Sequence, residues 1–420
     1  MLSQAENDRL CRVGPGTPMG AVFRRFWLPI CTSDRVTAGG APRAERLLGE
    51  NFVVFRTGEG KVGVLDELCP HRGASLALGR VEDCGIRCIY HGWKFATDGA
   101  VLEVMNNPAG KRLPSLQTPS FPSIEAGGVV WTYLGPKEHQ PAAPHFAFMD
   151  FPEARRVLLR VDGNYNWVQS LEGGLDSSHV GILHSNAARP GWNGTSDKKV
   201  GALDDTQPVL EVEDTEFGYH YAALRQGGPG KPGNVRITPF IMPSGRIIAG
   251  GALQGAENHT IVFEIPIDDE HTATYTVRYG NSSLSLESRL RETGFDDPEV
   301  YSQEDQRLLL TRANYNRQNR AIMDKSWSGL NGIAFEDTVI ATSMGPIQDR
   351  TKEHLIASDI AVARLRRRLL DSAARVERGE DPVGAHVDTH LISSIDAPAP
   401  PDGAHWRTLL PNHRIVRAAA

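Results

Sequence analysis

Apolar and polar residues alternate one by one in several short stretches of the first third of the chain: NFVVFRT (51–57), KVGVLDEL (61–68) and WKFATDGAVLEV (93–104). A period of two sends successive side chains to opposite faces, so these stretches read as short strands joined by hairpin loops. Five further alternating runs lie between residues 218 and 280: GYHYAALRQ, NVRITPFIMP, GRIIAGGALQ, HTIVFEIPID and TATYTVRYG. They predict an antiparallel meander, curved around a helix. Elsewhere the period is helical. Trp167, Val168, Leu171 and Leu175 form one stripe, and Leu355, Val362, Leu365 and Leu369 form another, which would leave the arginines of ARLRRRLL (363–370) facing water. GIAF (332–335) followed by the amphipathic run 339–344 predicts a helix with Asp337 near its start. The Pro-rich GPKEHQPAAPHF (135–146) reads as a linker and APAPPDG (397–403) as an extended arm, one able to cross to a neighbour. The expected organisation is α+β: an N-terminal helix and lead-in strand (1–44), an all-β domain (45–140), a sheet-and-helix domain (141–395) and a C-terminal arm (396–420).

Composition narrows the class. A formal charge of −6 gives no basic field, which argues against nucleic acid or an anionic membrane as partner. The opening MLSQAENDRL lacks the apolar core of a signal peptide, and no run approaches the ~20 apolar residues of a spanning helix. A cytoplasmic protein is expected. Five cysteines, an odd number, argue for free thiols or metal rather than a disulfide framework. Cys11, Cys31 and Cys84 read as buried thiols.

The other two cysteines carry chemistry. Cys69-Pro-His71 and Cys88-Ile-Tyr-His91 each place one thiolate and one imidazole within a turn, and Gly73 and Gly92 follow where the backbone must bend sharply. Zinc takes Cys₂His₂ sets, but its usual fingers keep like ligands together. A Rieske [2Fe–2S] cluster needs two cysteines on one iron and two histidines on the other, and two mixed loops meet that demand directly.

A second constellation lies in NYNWVQSLEGGLDSSHVGILHSN (164–186). On a continuous helix Asp176 and His179 are i and i+3, where the carboxylate can orient the imidazole. His179 and His184 are i and i+5 and converge on one ion only if the helix ends or widens between them, with Gly181 as a weak point. A carboxylate would complete the two-His, one-carboxylate set that suits non-haem Fe(II). Asp337 is the leading candidate, with Asp349, Asp324 and Glu336 as rivals.

With these motifs in hand, the chain resembles the oxygenase component (alpha subunit) of the Rieske non-haem iron aromatic ring-hydroxylating oxygenases, most of all their phthalate 4,5-dioxygenase and phenoxybenzoate dioxygenase branch. The resemblance runs nearly the full length, through RVGPGTPMGAVFRRFWLPI, LLGENFVVF, CPHRGASLALGR, CGIRCIYHGWKF, NWVQSLEGGLDSSHVGILH and EDTVIATSMGPIQDRTKEHL. It implies a Rieske domain holding [2Fe–2S] on Cys69, His71, Cys88 and His91. It further implies a helix-grip (START-like) catalytic domain with mononuclear Fe(II) on His179, His184 and Asp337. It also implies a homotrimer or stacked trimers, with Asp176 joining the cluster of one subunit to the iron of the next. Electrons would come from a separate NAD(P)H-dependent reductase with flavin and a ferredoxin-type cluster, since this chain has no nucleotide-binding glycine fingerprint.

The expected reaction is hydroxylation, as cis-dihydroxylation, of an aromatic carboxylate such as phthalate with O₂. The alternative is a mono-oxygenase, O-demethylase or ether-cleaving enzyme on a phenoxy- or methoxybenzoate. Arg225 and Arg236 lie on otherwise apolar strand faces and are candidates for binding the substrate carboxylate; a salt bridge to Asp or Glu, or an exposed sheet face, is the plainer account. Two other classes compete: an electron carrier, which needs no second iron, and a colourless zinc-stabilised interaction protein.

Overall fold

Residues 1–44 do not stay together. In the computed structural model, which describes residues 1–108, 115–188, 205–227, 233–250, 258–400 and 403–410, the chain forms two compact units. Helix α1 (Gln4–Cys11) belongs to the larger, Met1–Arg12 with His145–Ala420. Helix α2 (Pro18–Phe23) and strand β1 (Trp27–Thr32) belong to the smaller, Val13–Pro144. The second division falls inside the Pro-rich stretch, between Pro144 and His145.

The smaller unit is built of three small antiparallel sheets. Strands β2 (Arg43–Leu47), β3 (Glu50–Arg56) and β4 (Val62–Asp66) form a meander. The second sheet joins β5 (Arg80–Glu82), β6 (Gly85–Arg87), β7 (Trp93–Phe95) and β8 (Val101–Val104) in sequence order. Strand β9 (Ser120–Phe121) pairs with β4, and β10 (Ser123–Ala126) and β11 (Val129–Tyr133) form the third sheet with β1. Alternation did mark the strands: Val53, Phe55, Leu65, Ile86 and Phe95 point inward and pack with Leu76 into one core. Each such side chain contributes about 1.5–3 kcal/mol on full burial. Cys84 is exposed, against expectation, because it lies at the tip of the β5–β6 hairpin, where Glu82 pairs with Gly85.

In the larger unit β12 (Arg156–Gly163) is followed by α3 (Trp167–Leu175) and the short α4 (Val180–Leu183). Then comes the meander β13 (Val209–Thr215), β14 (Gly218–Arg225), β15 (Asn234–Ile241), β16 (Gly245–Ala249), β17 (Asn258–Pro266) and β18 (Thr272–Gly280). Strand β18 pairs with β12, so the first strand of the unit closes onto the last of the meander. Three helices follow: α5 (Leu286–Thr293), α6 (Ile333–Ser343) and α7 (Ile360–Glu377), with the short strands β19 (Tyr301–Ser302) and β20 (Arg307–Leu308) between the first two. Strand β21 (Ile395–Pro398) pairs with β15. The arm is thus seated on its own sheet, and Trp406 is buried against Ala222, Val235 and Ile237, its Nε1 donating to Glu211 at 2.7 Å. Residues 411–420 of the predicted arm lie outside the described residues. None of the described helices is long and apolar enough to cross a membrane.

The stripe on α7 buries Val362, Leu365 and Leu369, as its period requires. Its arginines do not all face water. Arg366 follows Val362 by four residues, falls on the same stripe and is buried, bonded to Glu172 and Glu353. Arg364 reaches Asp214 on β13.

Candidate metal centres

The two cysteine loops share one backbone framework. Cys69 N donates to Ala74 O and Gly73 N to Cys69 O, both at 2.8 Å; Cys88 N donates to Trp93 O at 2.8 Å and Gly92 N to Cys88 O at 3.0 Å. Each loop therefore spans the same number of residues, although the histidine is second after one cysteine and third after the other. Gly73 (φ +74°) and Gly92 (φ +71°) close the two loops in the left-handed region, where a Cβ costs about 1–2 kcal/mol. Both cysteines are 2% exposed. The His71 and His91 rings approach to 4.5 Å between centroids, and His71 stacks on Trp93 at 4.8 Å. Burial pushes the Cys69 thiol up to about 11; the backbone N–H groups of His71 and Arg72 aimed at it act the other way, and Cys88 adds to the rise. Two buried thiols facing each other, with amide donors on the sulfur and two imidazoles alongside, fit a cluster that displaces the thiol protons.

The second constellation departs from the predicted helix. Helix α3 stops at Leu175, and Asp176 is its C-cap with extended backbone (φ −89°, ψ 121°). The Asp176 side chain is the cause: Oδ1 accepts from Ser178 N (2.7 Å) and Ser178 Oγ (2.6 Å), and Oδ2 from His179 N (3.3 Å). Such local side-chain bonds compete with the helical ladder. His179 and His184 then bracket the separate turn α4, as its N-cap and C-cap, and Gly181 lies inside that turn rather than at the break. Asp337 sits in the second turn of α6, which starts earlier than predicted, at Ile333.

This arrangement turns both Nε2 atoms to one point. His184 Nε2 lies 3.1 Å and His179 Nε2 3.5 Å from Asp337 Oδ1, and the three ligand atoms lie within 4.8 Å of one another. Each Nδ1 faces a carboxylate: His179 meets Asp176 Oδ2 at 3.1 Å, and His184 meets Glu336 Oε2 at 2.7 Å. Carboxylates in that position fix the tautomer and raise ligand basicity. Burial opposes charge on His184, yet Asp337 and then Glu336 hold it up to about 10. Burial would likewise neutralise Asp337, but His184 and His179 keep it well below the usual carboxylate range. Two imidazoles and one acid that already attract each other fit a ferrous ion, which would replace the shared protons.

Glu336 was a rival for the ligand position; the structure instead gives it to the ring of His184. It is 2% exposed and is held by Ser328 Oγ (2.5 Å) and Asn186 Nδ2 (3.2 Å). Asp324 and Asp349 belong to neither group, and Asp349 caps the turn Arg350–Lys352.

Two further residues set α3 against α6 and α7. Gln169 donates to Ala341 O (2.9 Å) and Gly345 O (3.0 Å), and accepts from Gln348 N (2.7 Å). Glu172 binds Arg350 (2.9 Å) and Arg366 (2.6 Å), all three buried. The SMGPIQDR stretch is thus a buttress under α3, not part of the ligand set. Gly174 has its own reason: a Cβ there would lie 2.0 Å from Arg246 Cζ. Arg246, paired with the buried Glu264 at 2.8 Å, lines two cavities that meet at Asp337. One, about 120 Å³, lies between α6 and the Thr260, Val262, Thr274 and Thr276 face of the sheet. The other, about 250 Å³, is bounded by Asp176, His179, Ile340 and Met344. The Asp337 side chain is 45% accessible because these cavities reach it, so the three candidate ligands cover one side of the point they share. A Gly-Gly pair in a helical stripe was the one sequence signal for this close approach.

Arg225 is buried, and its Nη2 donates to Ser177 O (3.0 Å) and Ser177 Oγ (2.9 Å), one residue from Asp176. Its Nε and Nη1 have no hydrogen-bond partner among the described residues. Arg236 shares its sheet face, through the register Arg225↔Asn234 and Ala223↔Arg236, with Asp396 opposite it on β21. Neither arginine lines the two cavities just described.

Comparison with known proteins agrees with these centres. Residues 26–122 match the Rieske [2Fe-2S] domain family and residues 132–414 the family described as LigXa C-terminal domain like. The chain is 37% identical to the phthalate 4,5-dioxygenase oxygenase subunit of Pseudomonas putida, over 91% of this chain and 89% of that one. It is 32% identical to the 3-chlorobenzoate-3,4-dioxygenase oxygenase subunit of Comamonas testosteroni, over 96% of both. Its fold matches the oxygenase in the carbazole 1,9a-dioxygenase oxygenase–ferredoxin complex at a TM-score of 0.54, with 19% identity over 87% of this chain and 93% of that one. The chain belongs to the Rieske non-haem iron aromatic ring-hydroxylating oxygenases. It is their oxygenase component, an enzyme of two iron centres, a Rieske [2Fe–2S] cluster and a mononuclear iron. Oxygenase components of this family work with separate reductase or ferredoxin proteins.

Proposed function

We propose that the enzyme uses O₂ and electrons from a separate NAD(P)H-dependent reductase, in the cytoplasm, to cis-dihydroxylate an aromatic carboxylate such as phthalate. The observation that carries this reading is the pairing in one chain of the Cys69, His71, Cys88, His91 loops with the open-sided His179, His184, Asp337 group beside a cavity. Cys69 and Cys88 would hold one iron of the cluster and His71 and His91 the other; His179, His184 and Asp337 would hold the mononuclear Fe(II). When bound, the metals supply single electrons and a place for O₂. The protein's own residues do the rest. Asp176 and Glu336 fix the two imidazoles, Asp337 leaves the cavity side free, and Ile340 and Met344 give that cavity an apolar edge.

For the substrate carboxylate the candidates are Arg225, a buried cation with two nitrogens unsatisfied among the described residues and bonded to Ser177 beside Asp176, and Arg236 on the same face, which would take a second carboxylate in competition with Asp396; since neither lines the two cavities described above, the substrate would have to extend beyond them. The names of the two relatives point to the same substrate class. A panel of phthalates, phenoxybenzoates and methoxybenzoates, with reductase and NADH, reads O₂ uptake against product. cis-Diols from an aromatic carboxylate are expected, and Arg225→Ala should raise KM for that carboxylate at least ten-fold. Formaldehyde from methoxybenzoates with no diol from any carboxylate would replace the reading.

The working assembly would be a trimer or stacked trimers in which His91 of one subunit meets Asp176 of the next. The Asp176 side chain is 21% accessible, so a neighbour's ring can approach it, although its two oxygens already take four bonds from Ser178 and His179, one of which the bridge would share or replace. Asp176→Asn should retain both metals yet nearly abolish coupled product formation. Normal coupled turnover in that variant, or a monomer in solution that is fully active, rules the bridge out.

A further inference from the structure

A surface cleft of about 430 Å³ adjoins the cavity that lies between α6 and the sheet. It is lined by the exposed Ser282, Ser283, Ser285 and Ser288 together with Arg278. Strand register places the two spaces end to end. On β12 Val161 lines the inner cavity and Val157 the cleft; on the paired β18, Thr274 and Thr276 line the inner cavity and Arg278 the cleft. Arg289 and Glu292, one turn apart on α5, line both. At its other end the inner cavity reaches Arg246 and Asp337, which it shares with the cavity beside His179. Cleft, Arg289, inner cavity and Asp337 thus follow one another in that order.

The two arginines of the inner cavity are equally buried, and each leaves its Nε without a hydrogen-bond partner among the described residues. They differ in how their charge is met. Arg246 bonds the fully buried Glu264 at 2.8 Å. The acid paired with Arg289 is Glu292, which stands 3.4 Å from its Nη1 and is itself bonded to Arg278. Burial pulls the Arg289 guanidinium below its usual pKa, and Glu292 offsets this only in part. A buried cation so weakly neutralised is costly until an anion meets it. Guanidinium nitrogens on one edge grip a carboxylate through two parallel hydrogen bonds, and the unpartnered Nε lies on such an edge. The cavity beyond suits a ring. Val161, Ile248, Val262, Phe295 and Ile333 supply apolar walls, and its volume of about 120 Å³ is close to the ~150 Å³ of a cavity that takes benzene.

We propose, on the reading of the enzyme as an oxygenase of aromatic carboxylates, that Arg289 anchors the substrate carboxylate at the end of the inner cavity away from Asp337. The ring then fills the cavity with its opposite edge toward the iron ligands, and Arg225 and Arg236 serve only those parts of a substrate that reach beyond it. The test is calorimetric titration of iron-replete holoenzyme, without reductase, with benzoate and phthalate, and with benzamide as the uncharged probe. The wild type should bind the carboxylates at least about ten-fold more tightly than the amide. Arg289→Gln should lose at least about ten-fold for the carboxylates and leave the amide unchanged, with cluster absorbance and iron content as in the wild type. Arg289→Lys, which keeps the charge, should recover part of that loss. No preference of the wild type for carboxylates, unchanged carboxylate affinity in Arg289→Gln, or an equal loss for acid and amide would each overturn the proposal. Formaldehyde in place of diols would replace the reaction proposed above and leave this anchor standing. Diols formed with unaltered carboxylate affinity in Arg289→Gln would remove the anchor and keep the reaction.

Discussion

In the smaller unit, four candidate ligands come from two loops with one shared backbone framework, each loop carrying its own cysteine, histidine and closing glycine. In the larger unit, two histidines that bracket a single turn meet a carboxylate from a helix far along the chain. The first centre is a local design, repeated, and the β-hairpins around it need only bring two similar loops face to face. The second depends on α3, α6 and α7 keeping their mutual positions, and buried polar cross-links do that work: Gln169 to the end of α6, and Glu172 to Arg350 and Arg366. The difference teaches where each centre is vulnerable. Damage to the first should come from its own loops, and damage to the second from residues that never touch the metal.

The sharpest way to break this comparison is to remove a ligand on each side. Cys88→Ser should abolish the cluster's visible absorbance while iron on the larger unit persists. Asp337→Asn should do the reverse, and metal analysis with absorbance reads both. Next comes Glu172→Ala, which leaves Arg350 buried without its acid and Arg366 with Glu353 alone. Breaking a buried ion network in this way destabilises by about 3–5 kcal/mol, so a large fall in Tm is expected with the cluster spectrum unchanged before unfolding. Glu336→Gln removes the carboxylate behind His184 but keeps its shape. Iron affinity, measured by competition with a chelator, should fall about 10–100-fold.

Smaller effects sharpen the local side of the comparison. Gly73→Ala meets no neighbour, so its effect is the left-handed backbone alone, about 1–2 kcal/mol by denaturant unfolding. Gly92→Ala should do more, because its new Cβ would also press on Met105. Smallest is the pH dependence of Glu82, which Arg87 and then Lys94 hold down to about 2. Its folded value lies below its unfolded value of about 4.3, so its stabilisation is full above pH ~4.3 and is lost as pH falls toward 2. At most about 1 kcal/mol is expected for so exposed a pair, read as a smaller acid sensitivity of denaturant unfolding in Glu82→Gln.

Much of this was legible in the chain. Period-two runs marked the strands of the smaller unit and the meander because alternation follows from the strand itself. The Cys-x-His and Cys-x-x-His pairs announced a mixed-ligand site because both partners lie within one loop. Asp337 was narrowed to a few acids by pattern and separated from Glu336 only by resemblance, since adjacent carboxylates on one helix differ in direction and not in type. The helix across Asp176 was misread because its side chain takes over the backbone donors that periodicity assumes are free. Arg366 was misread because a stripe of apolar residues gives no sign of a buried acid waiting on another helix. The pairing of β21 with β15 was not legible because the edge that receives it is invisible in either segment alone.

What the residues by themselves determined is chemistry carried by neighbours: strand and helix periods, paired soft and imidazole ligands, and glycines where loops must turn. What only the tertiary structure decided is which acid faces the histidines, which orients them, and which arginines are left with unsatisfied nitrogens. Those outcomes depend on direction and distance between segments remote in the chain, and short-range pattern carries neither.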